Sequence, residues 1–225
     1  MGFSFRRYLL SVLSRREAGV RQYDWKFLRF SYAQLGEDLI VEALLPEARG
    51  FYVDVGAFHP VQLSNTYLFY RKGWRGIAVD ASPRAGAEFR RWRPRDVMVE
   101  CAVGEREEAV DFNYMDAEPT AHVAGAGVTV ATDTRSGKTL RVPCRRLDSI
   151  LKEHLPTGQT IDFVSVDCEG GDLSVLRSND WERYQPRVVA VEDWQKESAS
   201  EICRFLGAHG YKLIITSSVT RIFAR

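Results

Sequence analysis

The sequence has little of what an exported, membrane-spanning or zinc-stapled protein would need. Only four cysteines occur, Cys101, Cys144, Cys168 and Cys203, and no two are spaced as CxxC. That spacing excludes the common zinc and dithiol motifs and predicts free thiols in a reducing, cytoplasmic setting. No apolar run approaches the ~18 residues of a membrane span, and Tyr8–Leu13 is shorter than the ~7–15-residue apolar region of a secretory signal. An excess of one charge is missing too: 31 Lys and Arg face 30 Asp and Glu, for a net charge of +1. No overall field therefore recommends a nucleic-acid partner. Neither an internal repeat nor a linker divides residues 31–225, which predicts one domain there.

What is present is an ordinary globular composition: 225 residues, 45% apolar and 12% aromatic. A chain of this length buries enough surface to fold without disulfides. Its charge is unevenly placed. Residues 1–30 carry seven cationic side chains (Arg6, Arg7, Arg15, Arg16, Arg21, Lys26, Arg29) against Glu17 and Asp24, which is +5, leaving −4 for the remainder. With Phe3, Phe5, Tyr8, Leu9, Val12 and Leu13 interleaved, this head reads as a basic amphipathic helical segment. Such a helix would lie on an anionic membrane through residues 1–20, close over a substrate, or pack on its own domain or on a second copy of the chain.

From residue 31 helical and strand patterns alternate, which predicts a parallel sheet flanked by helices. Ser31–Gln34 opens like a capping box, and Leu35, Leu39, Ile40, Ala43 and Leu44 recur at helical spacing up to Pro46. Strands are expected over 50–56, 76–80, 97–103, 161–167 and 187–192, with helices over 64–72, 84–92, 147–154, 172–177 and 198–209. Two last strands, 212–216 and 220–224, are separated by three residues and must be antiparallel neighbours. Residues 105–142 break the pattern and read as a hairpin or mobile insertion over the ligand edge of the sheet.

Ligands of open parallel sheets sit beyond the carboxyl ends of the strands. The first strand ends Asp54-Val55-Gly56-Ala57-Phe58-His59-Pro60, with one glycine where the dinucleotide fingerprint G-x-G-x-x-G has three. A glycine there still admits a ligand close to the backbone. Asp80, 24 residues beyond Gly56, stands where an acidic side chain can accept both ribose hydroxyls of an adenosine-containing cofactor, or else cap the next helix. The ends of two later strands gather Asp167, Glu169, Glu192 and Asp193. Their repulsion calls for a hard cation, a shared proton or salt bridges, so the four are candidate ligands for a metal such as Mg²⁺.

Taken together and in order, Gly36-Glu37-Asp38, Phe51–Pro60, Ser64-Asn65-Thr66, Gly73–Ile77 and Asp167-Cys168-Glu169-Gly170 resemble the FkbM-type S-adenosylmethionine (SAM)-dependent methyltransferases, over about residues 31–195. The resemblance implies a class I, Rossmann-like fold: a seven-stranded sheet with its last strand antiparallel and helices on both faces. It implies SAM as cofactor and O-methylation of a hydroxyl, on a sugar, glycan or polyketide-type acceptor. It also implies that Asp54 and Gly56 lie along the methionine and ribose, that Asp80 binds the ribose, that Cys101 and Ala102 face adenine, and that Glu37, Asp38, Asn65 and Thr66 line the pocket.

Transfer of methyl to oxygen needs alignment and a base. The candidates are His59, which titrates near neutrality, and the carboxylates Asp167 and Glu169, acting directly or through a divalent ion. Trp194, Tyr114 and His122 are aromatic groups that suit a carbohydrate. Two other readings stay open: a non-catalytic nucleoside-binding module, and a nicotinamide-dependent oxidoreductase, which the lone Gly56 and the closing antiparallel pair disfavour.

Overall fold

Phe51, Val53 and Val55 alternate along the first strand with Tyr52 and Asp54, and every one of the five is buried. A strand hidden on both faces belongs to the centre of a parallel sheet covered by helices. The computed structural model, which describes residues 27–114, 121–124 and 138–225, builds that arrangement. Residues 1–30 and 31–225 are separate units, and the expected basic helix lies almost wholly outside the described residues.

The main sheet takes β1 (Phe51–Val55), β2 (Arg75–Val79), β3 (Val97–Val99), β8 (Phe163–Val166), β9 (Val188–Glu192), β10 (Lys212–Ser217) and β11 (Thr220–Ala224), in the order β10-β11-β9-β8-β1-β2-β3. The first five are parallel, and β11 runs antiparallel to both β9 and β10. This is the seven-stranded class I methyltransferase arrangement that the resemblance implies. On one face Val53, Val55, Val164, Val166, Val189 and Val191 pack with Leu147, Ile150, Val175, Leu176 and Leu206. Those partners come from α4 (Leu147–His154), α5 (Asp172–Arg177) and α6 (Glu201–Ala208). On the other, Tyr52, Phe163, Val188, Ala190 and Ile222 meet Val41, Phe69 and Trp74, brought by α1 (Glu37–Leu44), by α2 (Tyr67–Arg71) and by the turn after it.

The structure departs from the sequence pattern in three places. The first helix starts at Glu37, because Gly36 is left-handed (φ 90°) and Asp38 draws Ser31 Oγ (2.6 Å) and the Tyr32 N–H (2.7 Å) into a loop in place of a capping box. The strand expected over 97–103 divides: β3 stays in the main sheet, while β4 (Ala102–Val103) leaves it to pair in parallel with β7 (Lys138–Arg145). The loose region, expected as a hairpin or mobile insertion, goes further than a hairpin: β5 (Glu108–Tyr114) pairs antiparallel with both β6 (Ala121–Ala124) and β7, so a second sheet of order β4-β7-β5-β6 forms. Among the described residues no helix is long and apolar enough to cross a membrane.

Candidate active site at the carboxyl ends of the strands

Beyond the carboxyl ends of β9, β8, β1 and β2 lies a cavity of about 410 Å³, within the ~300–1,000 Å³ of small-molecule sites. Glu37, Gly56, Asn65, Asp80, Cys101, Ala102, Asp167, Glu169 and Glu192 all line it. Segments far apart in sequence thus converge, because parallel strands deliver their ends to one edge.

Asp80 is fixed from two sides. One carboxylate oxygen accepts the Phe58 N–H at 2.8 Å and the other accepts the Ser82 N–H at 2.7 Å. Each oxygen keeps a lone pair for a ligand hydroxyl. Beside it Cys101, Ala102, Val103 and Phe112 form an apolar wall, of which the second sheet contributes the last three. Burial pushes the Cys101 thiol up to about 12 and the Cys168 thiol well above its usual range, so neither is a thiolate nucleophile.

Gly56 sits at φ 76°, and a Cβ on it would lie 1.8 Å from the Asp167 carbonyl oxygen. Glycine is required here to let the loops after β1 and β8 touch. Three of the four non-glycine residues with positive φ among the described residues, Phe58, Leu63 and Glu169, also line the cavity. Such strain concentrates where a loop must present a particular surface.

Asp54 points to the opposite face of β1 from Val55 and lies outside the cavity lining. Its carboxylate accepts from Thr66 Oγ1, which in turn accepts from Arg93 Nη2 at 2.9 Å. Burial raises the Asp54 pKa, and the Arg93 guanidinium opposes that rise. Arg93 is 1% exposed and donates from Nε to Asp96 at 2.7 Å, while Asp96 also accepts the Tyr52 hydroxyl at 2.8 Å. The expected ligand contact of Asp54 is thereby corrected: it anchors the loop 56–66 from below. Asp38 is corrected likewise, being spent on Ser31 and Tyr32. Asn65 reaches the cavity and donates to Ser165 at 3.1 Å.

His59 is not among the lining residues. Its Nδ1 accepts the Val61 N–H (3.0 Å) and the Gln62 N–H (2.8 Å), and burial lowers its pKa. Through Nδ1 the imidazole closes a turn, outside the residues that line the cavity. The expected metal tetrad is corrected too. Asp193 turns away to Arg221 and to the Ser200 hydroxyl, and among the described residues no group of three His, Cys, Asp or Glu side chains is placed to hold a metal ion.

Asp167 and Glu192 stay in the cavity. Val166 pairs with Val191, so these two residues end adjacent strands side by side. Burial, then the charge of Glu192, raises the Asp167 carboxyl well above the usual range. Burial raises Glu192 to about 7, against a hydrogen bond from the Trp194 side chain. Below them Asp172 accepts the Cys168 N–H (2.8 Å) and the Gly170 N–H (2.9 Å), clamping the loop 167–172. Sequence reasoning missed Phe58, Leu63 and Phe112; only the glycine-anchored loop and the irregular 105–142 stretch hinted at them. Trp194 is 71% exposed at the rim. The side chains of Tyr114 and His122 lie outside the described residues.

A family model described as "Methyltransferase FkbM domain" matches residues 54–213. The curated protein "Methyltransferase sdnD" of Sordaria araneosa is 36% identical over 28% of this chain, and the match spans 28% of that protein's length. Among solved structures, a precorrin-6y C5,15-methyltransferase from Geobacter metallireducens GS-15 is similar at 12% identity and TM-score 0.44, covering 84% of this chain and 86% of that one. The 1,6-didemethyltoxoflavin-N1-methyltransferase of Burkholderia thailandensis, solved with 1,6-didemethyltoxoflavin and S-adenosylhomocysteine, matches at 12% identity and TM-score 0.45, over 100% of this chain and 92% of that one.

Proposed function

The chain belongs to the FkbM methyltransferase family, and on that premise we propose that it moves a methyl group from SAM to a hydroxyl of a sugar, glycan or related secondary-metabolite acceptor. The residues present suit the cofactor. Asp80, with a free lone pair on each oxygen, would accept the two ribose hydroxyls; the wall of Cys101, Ala102 and Phe112 would cover adenine; Gly56 leaves room for a ligand against the backbone. When bound, SAM supplies a methyl group carried on a sulfonium, already electrophilic.

The chain's own work is orientation and proton handling. Orientation of two reactants is worth roughly 7–11 kcal/mol of barrier, and the strained Phe58 and Leu63 with the rim Trp194 form the apolar and aromatic surface that an acceptor ring would meet. The proton lost from the acceptor oxygen passes to the Asp167–Glu192 pair. The observation that carries this reading is Glu192, whose carboxyl is lifted to about 7 beside Asp167 in the same cavity. A base whose pKa lies near the working pH is the most effective one.

The test is incubation of the purified chain with isotopically labelled SAM and a panel of sugars, glycans and polyketides, with the methylated atom located by NMR. An O-methyl ether is the expected product. Methylation at nitrogen or carbon alone would remove the hydroxyl assignment while leaving the methyltransferase assignment intact.

A further inference from the structure

Five carboxylates, Glu37, Asp80, Asp167, Glu169 and Glu192, line the cavity, and among the described residues no Lys, Arg or His does. Two of these have other work: Asp80 binds the backbone of Phe58 and Ser82, and Glu37 accepts the Leu35 N–H at 2.8 Å. Glu192 is different. It is 8% exposed, and its Oε2 is buried with no hydrogen-bond partner. Its neighbour Asp167 ends the adjacent strand, one strand spacing away, ~4.8 Å.

Two carboxylates withdrawn from water repel each other unless something positive or a proton offsets them. The nearby candidates on the chain are already engaged. Arg221 is 3% exposed and commits both Nη atoms to Asp193 and the Gln195 carbonyl, leaving only Nε without a partner, and Arg93, which packs over Tyr52, is committed to Asp96 and Thr66. No metal-binding group is assembled among the described residues. Below about pH 7 a proton on Glu192 offsets the repulsion; once it is lost, the source of positive charge left for the pair is the ligand.

Resting on the SAM-binding reading above, we infer that Asp167 and Glu192 select for the charge of the methyl donor, so that the site holds the sulfonium cation more tightly than its uncharged thioether product. SAM and S-adenosylhomocysteine share adenine, ribose and the amino-acid end; they differ by one methyl group and one positive charge. Asp80 and the apolar wall therefore contribute equally to both, and the affinity ratio isolates what the carboxylates add. At an effective dielectric near ~20, a charge several Å from two carboxylates is worth about tenfold or more in affinity. The consequence is product release by loss of charge: methyl transfer itself removes the attraction that held the cofactor.

The experiment is calorimetric titration at pH 8, where Glu192 is ionised, with SAM, S-adenosylhomocysteine and sinefungin, in which a protonated amine replaces the sulfonium methyl. No acceptor is present, so nothing is turned over. In the wild type SAM and sinefungin should bind about tenfold tighter than S-adenosylhomocysteine. Glu192→Gln and Asp167→Asn, each checked for an unchanged fold by its melting transition, should bring the three ligands to within about twofold while keeping the affinity for S-adenosylhomocysteine. Equal or tighter binding of S-adenosylhomocysteine by the wild type overturns the inference and leaves the cofactor assignment standing. A preference that survives in both variants overturns it as well. Binding of none of the three by the wild type would overturn the cofactor assignment itself, and the inference with it.

Discussion

The carboxylate of Asp80 and the backbone N–H of Phe58 are joined by a 2.8 Å hydrogen bond, which ties the strained loop after β1 to the end of β2. The same carboxylate is the group assigned to the ribose, so loop shape and ligand binding share one side chain. Asp80→Ala should weaken S-adenosylhomocysteine binding by about 10–100-fold, the loss of one or two hydrogen bonds to a charged group. Asp80→Asn, which keeps one acceptor oxygen, should lose less. Calorimetry on both variants checks this, and equal affinities for wild type and Asp80→Ala would refute it.

Gly56→Ala should be poorly tolerated. The added methyl would meet the Asp167 carbonyl and the residue would have to hold φ 76°, so the loops after β1 and β8 must separate. A loss of roughly 1–3 kcal/mol is expected, which for a chain of this size is a fall of about 2–12 °C in melting temperature, together with weaker cofactor binding. An unchanged melting curve would show that the two loops are not in contact.

Arg93→Ala removes the cation from a buried group that includes Asp96, Thr66 and Asp54. Breaking one side of a buried pair costs about 3–5 kcal/mol. Asp96→Asn in the same background should restore part of that stability by removing the stranded charge. Denaturant melts of the single and double variants measure the recovery, and a strictly additive double variant would contradict the coupling.

Glu192 makes stability depend on pH. Burial lifts its carboxyl from the ordinary 4.5 to about 7, so the folded state holds the proton more tightly than the unfolded state. Its contribution is fully present below the unfolded pKa and is lost as pH rises through about 7. Asp172, lifted from 3.8 to about 6, acts in the same direction. Glu192→Gln should therefore be more stable than wild type at pH 8, by about 1–3 kcal/mol, with the difference vanishing near pH 4.5. Melting temperatures across that range decide the matter.

His59→Ala should leave the pH dependence of turnover in place and change its rate only a few-fold, since the imidazole closes a turn with the Val61 and Gln62 N–H groups. Loss of the neutral-pH limb in that variant would return His59 to the candidate bases.

Much of this protein was legible in the chain alone. The short, near-continuous apolar runs Phe51–Val55, Phe163–Val166 and Val188–Glu192 announce strands buried on both faces of a parallel sheet. The three-residue spacing between the last two strands forces them antiparallel. The end of each such strand marks where Gly56, Asp80, Asp167 and Glu192 must gather. These features follow from local sterics and apolar run length, which a sequence carries directly. What the chain could not declare is which way each polar side chain turns once the elements pack. Asp54 and Val55 are neighbours on one strand, yet only Val55 meets the cavity, because Arg93 from the far end of α3 (Ala85–Trp92) waits on the other face. Asp193 follows Glu192 directly but is drawn off by Arg221 of β11, while Glu192 keeps an unpartnered oxygen. Phe112 reaches the apolar wall of the cavity only because β4 abandons the main sheet for a second one. These choices depend on partners distant in sequence, and so they belong to the tertiary structure.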